Sequence, residues 1–475
     1  MMVHQKRPRI AVIAGYMPFF DEIMPEGYAK TRFAFGEIVA DLLRDVADVT
    51  YLGLVSDHAM GEEQGQALLR LAPDAVLLVP TMATPAGYFW RVLKVNPGLP
   101  VVIFAAHEVE TIEADYDMVA LCRHSSNVGA MMIGNVLTRE DRPFEVVVGP
   151  RDRPDTRDRL REAMTVATLA GQLRNTRIGK LGDALDGYDN VTVDPIALQK
   201  ATGIQVIDIT QAEWESQCES VAEVDIEALG QDLRQTMQIE DRGAPAQVRA
   251  SLRVAVALER VNGSHGFAAG TINCRGPFGV KNPKIDSLGC LATTLATSRG
   301  VPFTCTADVI TAVAMLVGKR LGGAALYCEL DAIDEARDAF LCANTGEGDT
   351  DWCGTQPCTA FTSGASSGRF APGCSVSQVL RPGPATMIGF TPCPRAAGGF
   401  TFIAMEGVVQ EPPDVALTVT AAWFQAKRSP MRGAMEAWIR AGATHHGALC
   451  PGHLAGQIQL LARYLRVGCR VISQP

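Results

Sequence analysis

The chain has 475 residues, of which 47% are hydrophobic and 20% charged, with 45 glycines and 27 prolines. That composition excludes a collagen-like or wholly disordered chain, and at roughly 150 residues per domain the length predicts about three domains. Lys and Arg number 43 against 52 Asp and Glu, a formal charge of −9 without a basic block, so nucleic acid is not expected as a partner because neutralising phosphates needs a basic face.

Apolar, β-branched runs at 10–15, 49–54, 75–80, 101–106 and 144–149 alternate with amphipathic stretches. Near-continuous apolar strands separated by helices predict a parallel sheet covered on both faces, a doubly wound first domain over residues 1–165. The charged, proline-broken segment 150–162 reads as the crossing to a second domain. That second α/β domain, 166–344, has strand candidates at 204–209, 267–272 and 325–330 and long helical stretches at 246–261 and 307–321. After Asn344 the texture changes: Gly, Ser, Thr and Pro are dense to Pro384, then extended stretches follow one another without helices. This predicts a mainly antiparallel β domain over 345–475, closed by a helical segment at 453–465 and a last strand, CRVIS. The fold class expected is therefore α/β, with two doubly wound parallel-sheet domains followed by a mainly antiparallel C-terminal domain.

No run of 18 apolar residues occurs, and the first nine residues lead into only about six, so neither a membrane span nor a secretory leader is expected, and the location expected is cytoplasmic. Thirteen cysteines, an odd number with no dense short framework, suggest a reducing compartment and buried thiols. Cys353 and Cys358 lack a second pair at zinc spacing. Gly179, Gly182 and Gly187 do not follow the dinucleotide order G-x-G-x-x-G, and read as turn glycines. GASSG at 364–368 matches a nucleophile elbow in letters, but without a strand before it or a helix after it Ser366 reads as a loop serine. Cys305, Cys328 and Cys450 lie near the polar residues discussed next; small buried hydrophobes is the favoured reading, nucleophiles the alternative.

Three of the eight histidines, His445, His446 and His453, fall within nine residues. A glycine-flanked pair at the start of a helix suits holding a metal or polarising a substrate oxygen, with capping and core packing as the alternative. A second polar group spans 306–334: Thr306 or Asp308 opens an apolar helix, and Glu329 and Asp331 end the next strand. In a doubly wound sheet the carboxyl ends of strands and the following helix starts gather at one edge, where ligands bind. Each acid alone is more often a cap or an ion-pair partner; their joint placement is what points to a cleft.

At these two stretches the chain resembles the superfamily of L-fucose isomerase and L-arabinose isomerase, the fucose branch more closely. That branch has T-E-x-D before an apolar helix containing M-L-x-G, then F-A-D-V at a strand end, then N-H-G-V-x-x-x-G-H. The matching strings here are residues 304–308 leading into Met315, Leu316 and Gly318, then 327–330, then His445, His446, Gly447 and Ala448 with Gly452 and His453. Weaker likeness runs through most of the chain, including 77–90, 179–187 and 404–409.

The resemblance implies two α/β domains and a β domain, with the active site where the latter two meet, and a homo-oligomer, hexamer or trimer. It implies aldose–ketose interconversion of a small-molecule carbohydrate through a cis-enediol, with Mn²⁺ or another divalent cation on two adjacent sugar oxygens and carboxylates moving the proton. Glu329 takes the place of the family aspartate and His446 that of the histidine, as metal ligands. Thr306 stands where the family has a glutamate, and a hydroxyl is no base at neutral pH. The missing carboxylate then comes from Asp308 or Asp331, or the cation is held by Glu329, His446 and a further residue such as Cys305 or His445, or a sugar-like ligand is bound without turnover. The expected catalytic set is Glu329, Asp308 and Thr306; His445, His453, Trp90 and Arg440 are the expected substrate contacts. A divergent lyase, epimerase or hydrolase, or a non-catalytic sugar-binding protein, are the alternatives.

Overall fold

The computed structural model describes residues 7–344, 346–362, 372–415, 417–427 and 430–472; Ser366 lies outside them. The chain divides into two compact units, one running from the described N-terminus to Arg174 with Arg463–Leu465, the other holding Asn175–Ala462 and the residues from Arg466.

The first unit carries β1 (Arg9–Gly15), β2 (Asp48–Val55), β3 (Ala75–Pro80), β4 (Val101–His107) and β5 (Phe144–Pro150) in the all-parallel order β2-β1-β3-β4-β5. All six residues of β3 are buried, as expected for an inner strand with helices on both faces. Its core joins Ile13, Val76, Leu78 and Ile103 to Phe89 and Val92 of the helix Ala86–Leu93 and to Ile133 and Leu137 of the helix Ser126–Arg139.

In the second unit the strands are β6 (Arg177–Leu181), β7 (Gln205–Ile209), β8 (Met237–Glu240), β9 (Ala269–Ile272), β10 (Phe303–Cys305), β11 (Leu326–Asp334), β12 (Ala339–Ala343), β13 (Cys358–Thr362), β14 (Cys374–Ser377), β15 (Gly383–Pro392), β16 (Phe400–Gln410), β17 (Ala421–Ala426), β18 (His446–Pro451) and β19 (Gly468–Val471). A parallel sheet has the order β10-β9-β6-β7, and a small one the order β14-β13-β8. The third sheet, β15-β18-β11-β12-β17-β16-β19, is antiparallel except for the pair β16–β19, and β15 also pairs with β16, so six strands close into a ring. Inside it lie Phe340, Met387, Ile403, Met405, Phe424 and Leu449.

Two expectations are corrected here. The run 325–330 belongs to this antiparallel sheet as β11, not to a doubly wound sheet; an apolar run of that length has no periodicity that tells one partner sheet from another. His446 begins a strand, not a helix; the helix starts only at Ala455.

The helix Val309–Gly322 joins the two larger sheets. Every residue from Val309 to Lys319 is buried, the pattern of a helix enclosed on all sides. It packs on β18 and β15 and also on β9 and β10. Gly318 permits that approach, since a Cβ there would collide with Cys450 Sγ on β18. Near its end Lys319 donates to Asp349, which is fully buried, at 2.8 Å and to Asp351 at 2.6 Å.

Cys353 and Cys358 are paired as a disulfide. The other cysteines are free and, except for Cys393 and Cys469, buried. No helix among the described residues is long and apolar enough to cross a membrane.

Candidate functional site

The site is built on a strand pair. β11 and β18 run antiparallel with Glu329 opposite His446, and His446 Nε2 lies 3.3 Å from Glu329 Oε1. Side chains alternate along a strand, so Tyr327, two residues before Glu329, shares its face. The Tyr327 ring packs against the His446 imidazole, centroids 4.6 Å apart, and the His445 ring lies tilted against it at 3.7 Å.

The other nitrogen of His446 is held from the parallel sheet. Asp308 caps the helix Val309–Gly322 by accepting the Thr311 N–H at 2.9 Å on Oδ1, and its Oδ2 accepts from His446 Nδ1 at 2.8 Å. With Asp308 fully buried and His446 only 4% exposed, this carboxylate fixes the ring and leaves Nε2 facing Glu329. Burial by itself would lower the His446 pKa, but its hydrogen bonds and charge interactions with Asp308 and Glu329 outweigh that and push it up to about 9. Conversely the His446 hydrogen bond holds Glu329 below the usual carboxylate range, and burial followed by the His446 charge lowers His445.

Between β10 and Asp308 the chain makes a strained turn. Thr306 and Ala307 both have left-handed backbone, with φ of 57° and 62°. For a β-branched residue this is an outlier, and such strain persists where the surroundings overdetermine it. The Thr304 hydroxyl ties the turn by donating to the Asp308 carbonyl at 2.7 Å.

Thr306, Tyr327, Glu329 and His446 wall a cavity of about 390 Å³, joined by Arg275, Cys274, Cys290, Cys305, Asn344 and Glu347. The hydroxyls of Thr306 and Tyr327 are buried beside each other, with no other hydrogen-bond partner in the protein. Orphaned buried donors are costly, of order 1–3 kcal/mol each, unless something else satisfies them. Glu347 is placed by Asn344, whose Oδ1 accepts the N–H groups of Gly346 and Glu347 at 2.9 and 2.7 Å. Its carboxyl is 6% exposed, and burial raises its pKa against the lowering effect of Arg275. Burial also raises Asp331, which is exposed to solvent beyond Glu329 on β11 and does not line the cavity.

No family model matches the chain, and no curated protein matches it. Among solved structures it is similar to an ABC-transporter solute-binding protein from Burkholderia multivorans, at 13% identity over 59% of this chain and 86% of that one. The TM-score is 0.17, too low for that likeness to bear on fold or ligand.

Of the residues singled out from sequence, Glu329, His446, His445, Thr306 and Asp308 come together. His453 does not: its Nε2 bonds the Gly407 carbonyl at 3.2 Å. Arg440 is exposed and paired with Glu436 along one helix, and Trp90 packs on the core of the first unit. Cys328 and Cys450 are core residues, whereas Cys305 lines the cavity. Asp308 is taken up by the helix cap and the imidazole, so it positions His446. Sequence reasoning missed Tyr327, which the two-residue strand period flags beside Glu329, and Glu347, Arg275 and Asn190. Asn190 bonds His445 Nδ1 at 2.8 Å, across more than 250 residues of sequence.

One oxygen of Glu329 and one nitrogen each of His445 and His446 lie within 4.8 Å of one another. A carboxylate with two imidazoles is a borderline-hard donor set that suits Mn²⁺, Fe²⁺ or Zn²⁺. The carboxylate on the far nitrogen of His446 is the usual support for a ligating imidazole. The donors present thus fit a divalent cation.

Proposed function

We propose that this chain is a carbohydrate isomerase-like enzyme that interconverts an aldose and a ketose, or the corresponding sugar acids, through an enediol, assisted by a divalent cation. The observation that carries this is the Asp308–His446–Glu329 array, its first two members buried and its third half-exposed, beside a polar cavity that Glu347 also lines. Glu329, His446 and His445 are the residues that would hold the cation, which when bound polarises a sugar carbonyl. Glu347 moves the proton between neighbouring carbons: burial raises its pKa above the usual carboxylate range, the direction in which a carboxyl gains competence as a general acid–base catalyst. Glu347 thereby stands in for the carboxylate missing at Thr306. The Thr306 and Tyr327 hydroxyls, with no protein partner but each other, bond sugar hydroxyls.

The test is deuterium exchange. A panel of aldoses and uronic acids is incubated with the protein and Mn²⁺ in D₂O, and loss of the C–H signal next to the carbonyl is followed by NMR. Glu347→Gln is expected to abolish exchange while keeping the thermal shift on adding Mn²⁺; Glu329→Gln and His446→Ala are expected to lose both. Exchange at wild-type rate in all three variants sinks the proposal.

A further inference from the structure

The cavity wall holds a second reactive group that the enediol chemistry does not use. Cys274, just beyond β9, and Cys305, at the end of the neighbouring parallel strand β10, bring their sulfurs to 3.8 Å. Both line the cavity, at 2% and 8% exposure. Cys274 Sγ sits at the start of the helix Cys290–Ser298, where Gly289 is the N-cap and its N–H donates to the sulfur. Arg275 adjoins it in sequence and shares the cavity wall. A helix N-terminus and a guanidinium both favour a thiolate.

We propose that Cys274 and Cys305 form a redox modification site, in which a small hydroperoxide entering the cavity oxidises Cys274 and Cys305 captures the product as a disulfide. The Cys274 thiolate attacks one peroxide oxygen; the O–O bond breaks, leaving a sulfenic acid, and the released oxygen leaves as water or an alcohol. The Cys305 sulfur then attacks the sulfenic sulfur; the S–S bond forms, the S–O bond breaks, and the hydroxyl departs as water with the Cys305 proton. Two thiols supply the two electrons that reduce one peroxide.

The helix N-terminus and Arg275 beside Cys274 make it the sulfur that reacts first. The hydrogen bond shared with Cys305, ahead of the opposing effect of burial, lowers the Cys274 pKa, helped by the Gly289 N–H and Arg275 and opposed by Glu347. The same contact, followed by burial, raises Cys305. The Thr306 and Tyr327 hydroxyls on the same wall, with no protein partner but each other, mark the cavity as one that receives a small polar molecule. The disulfide would act directly on the candidate site, because Cys305 is followed by the strained Thr306–Ala307 turn and then by Asp308, which holds His446.

The full-length protein is treated with one to two equivalents of hydrogen peroxide, blocked with iodoacetamide and peptide-mapped by mass spectrometry. A Cys274–Cys305 cross-link, 2 Da lighter than the two free peptides and reversed by dithiothreitol, is expected to appear before any other new modification. In Cys305→Ser, a dimedone adduct is expected at Cys274. Oxidation elsewhere with Cys274 and Cys305 still alkylatable, or a Cys274–Cys290 link in their place, overturns the proposal. Because Cys305→Ser is itself buried, the alkylation rate of Cys274 in the unmodified wild type is the second measure; a rate no higher than that of Cys290 also overturns it. These readouts need no turnover, so their failure is separate from failure of the isomerase reading.

Discussion

Glu329 and His446 are cross-strand partners, 117 positions apart in sequence and adjacent in the β11–β18 ladder, with His446 Nε2 and Glu329 Oε1 at 3.3 Å. A ladder fixes that pairing more rigidly than a loop does, since a slip of one residue would turn every side chain of β18 to the other face of the sheet.

Stability of the cation-free protein should depend on this pair. An imidazole titrates near ~6.5 in the unfolded chain, and in the fold His446 is pushed up to about 9. The folded state therefore binds the proton more tightly; the stabilisation is fully present below about pH 6.5 and is lost as pH rises through about 9. Urea unfolding in the presence of a chelator should show this loss, and His446→Gln should remove it. An unchanged slope in that variant would assign the pH dependence to other groups.

Asp308→Asn keeps a competent helix cap, because Asn caps as well as Asp, but removes the charge behind His446. Mn²⁺ affinity, measured by calorimetry, is expected to fall about 10–100-fold, the usual cost of losing such support. Equal affinity in variant and wild type would mean that Asp308 serves only the helix.

Thr306→Gly should stabilise the fold while harming the site. Glycine adopts the left-handed turn freely and removes a buried hydroxyl with no partner but Tyr327, and relief of about 1–2 kcal/mol of strain exceeds the roughly 0.5–1 kcal/mol of added chain entropy. The melting temperature should rise as D₂O exchange falls. Thr306→Glu, placing a long side chain on the same strained backbone, should not raise exchange.

Lys319→Met strands the buried Asp349 carboxylate, which also accepts the Ala325 N–H. Breaking one side of a buried ion pair typically costs about 3–5 kcal/mol, and denaturant unfolding should show a loss of that order. A loss below about 1 kcal/mol would mean that water reaches Asp349.

The alternation of apolar runs with amphipathic stretches sufficed to read the parallel sheet of the first unit, because strands buried on both faces carry their signature in their own letters. The same reading failed for β11. Its run of apolar residues is equally consistent with a parallel or an antiparallel neighbour, and the identity of that neighbour, β18, lies more than a hundred residues away. Asp308 was legible as a helix opener, but not as the support of His446, since that contact depends on how the helix Val309–Gly322 is enclosed between two sheets.

What the amino-acid order determined by itself is local: which segments become strands and helices, where Asp308 caps, and that acids and histidines cluster in two short stretches. What only the tertiary structure decided is which of those side chains meet. It brought Glu347 and Cys274 into the cavity and kept His453 and Arg440 out of it, because hydrogen-bonded register and helix-on-sheet packing are set by contacts between distant segments and not by the spacing of residues along the chain.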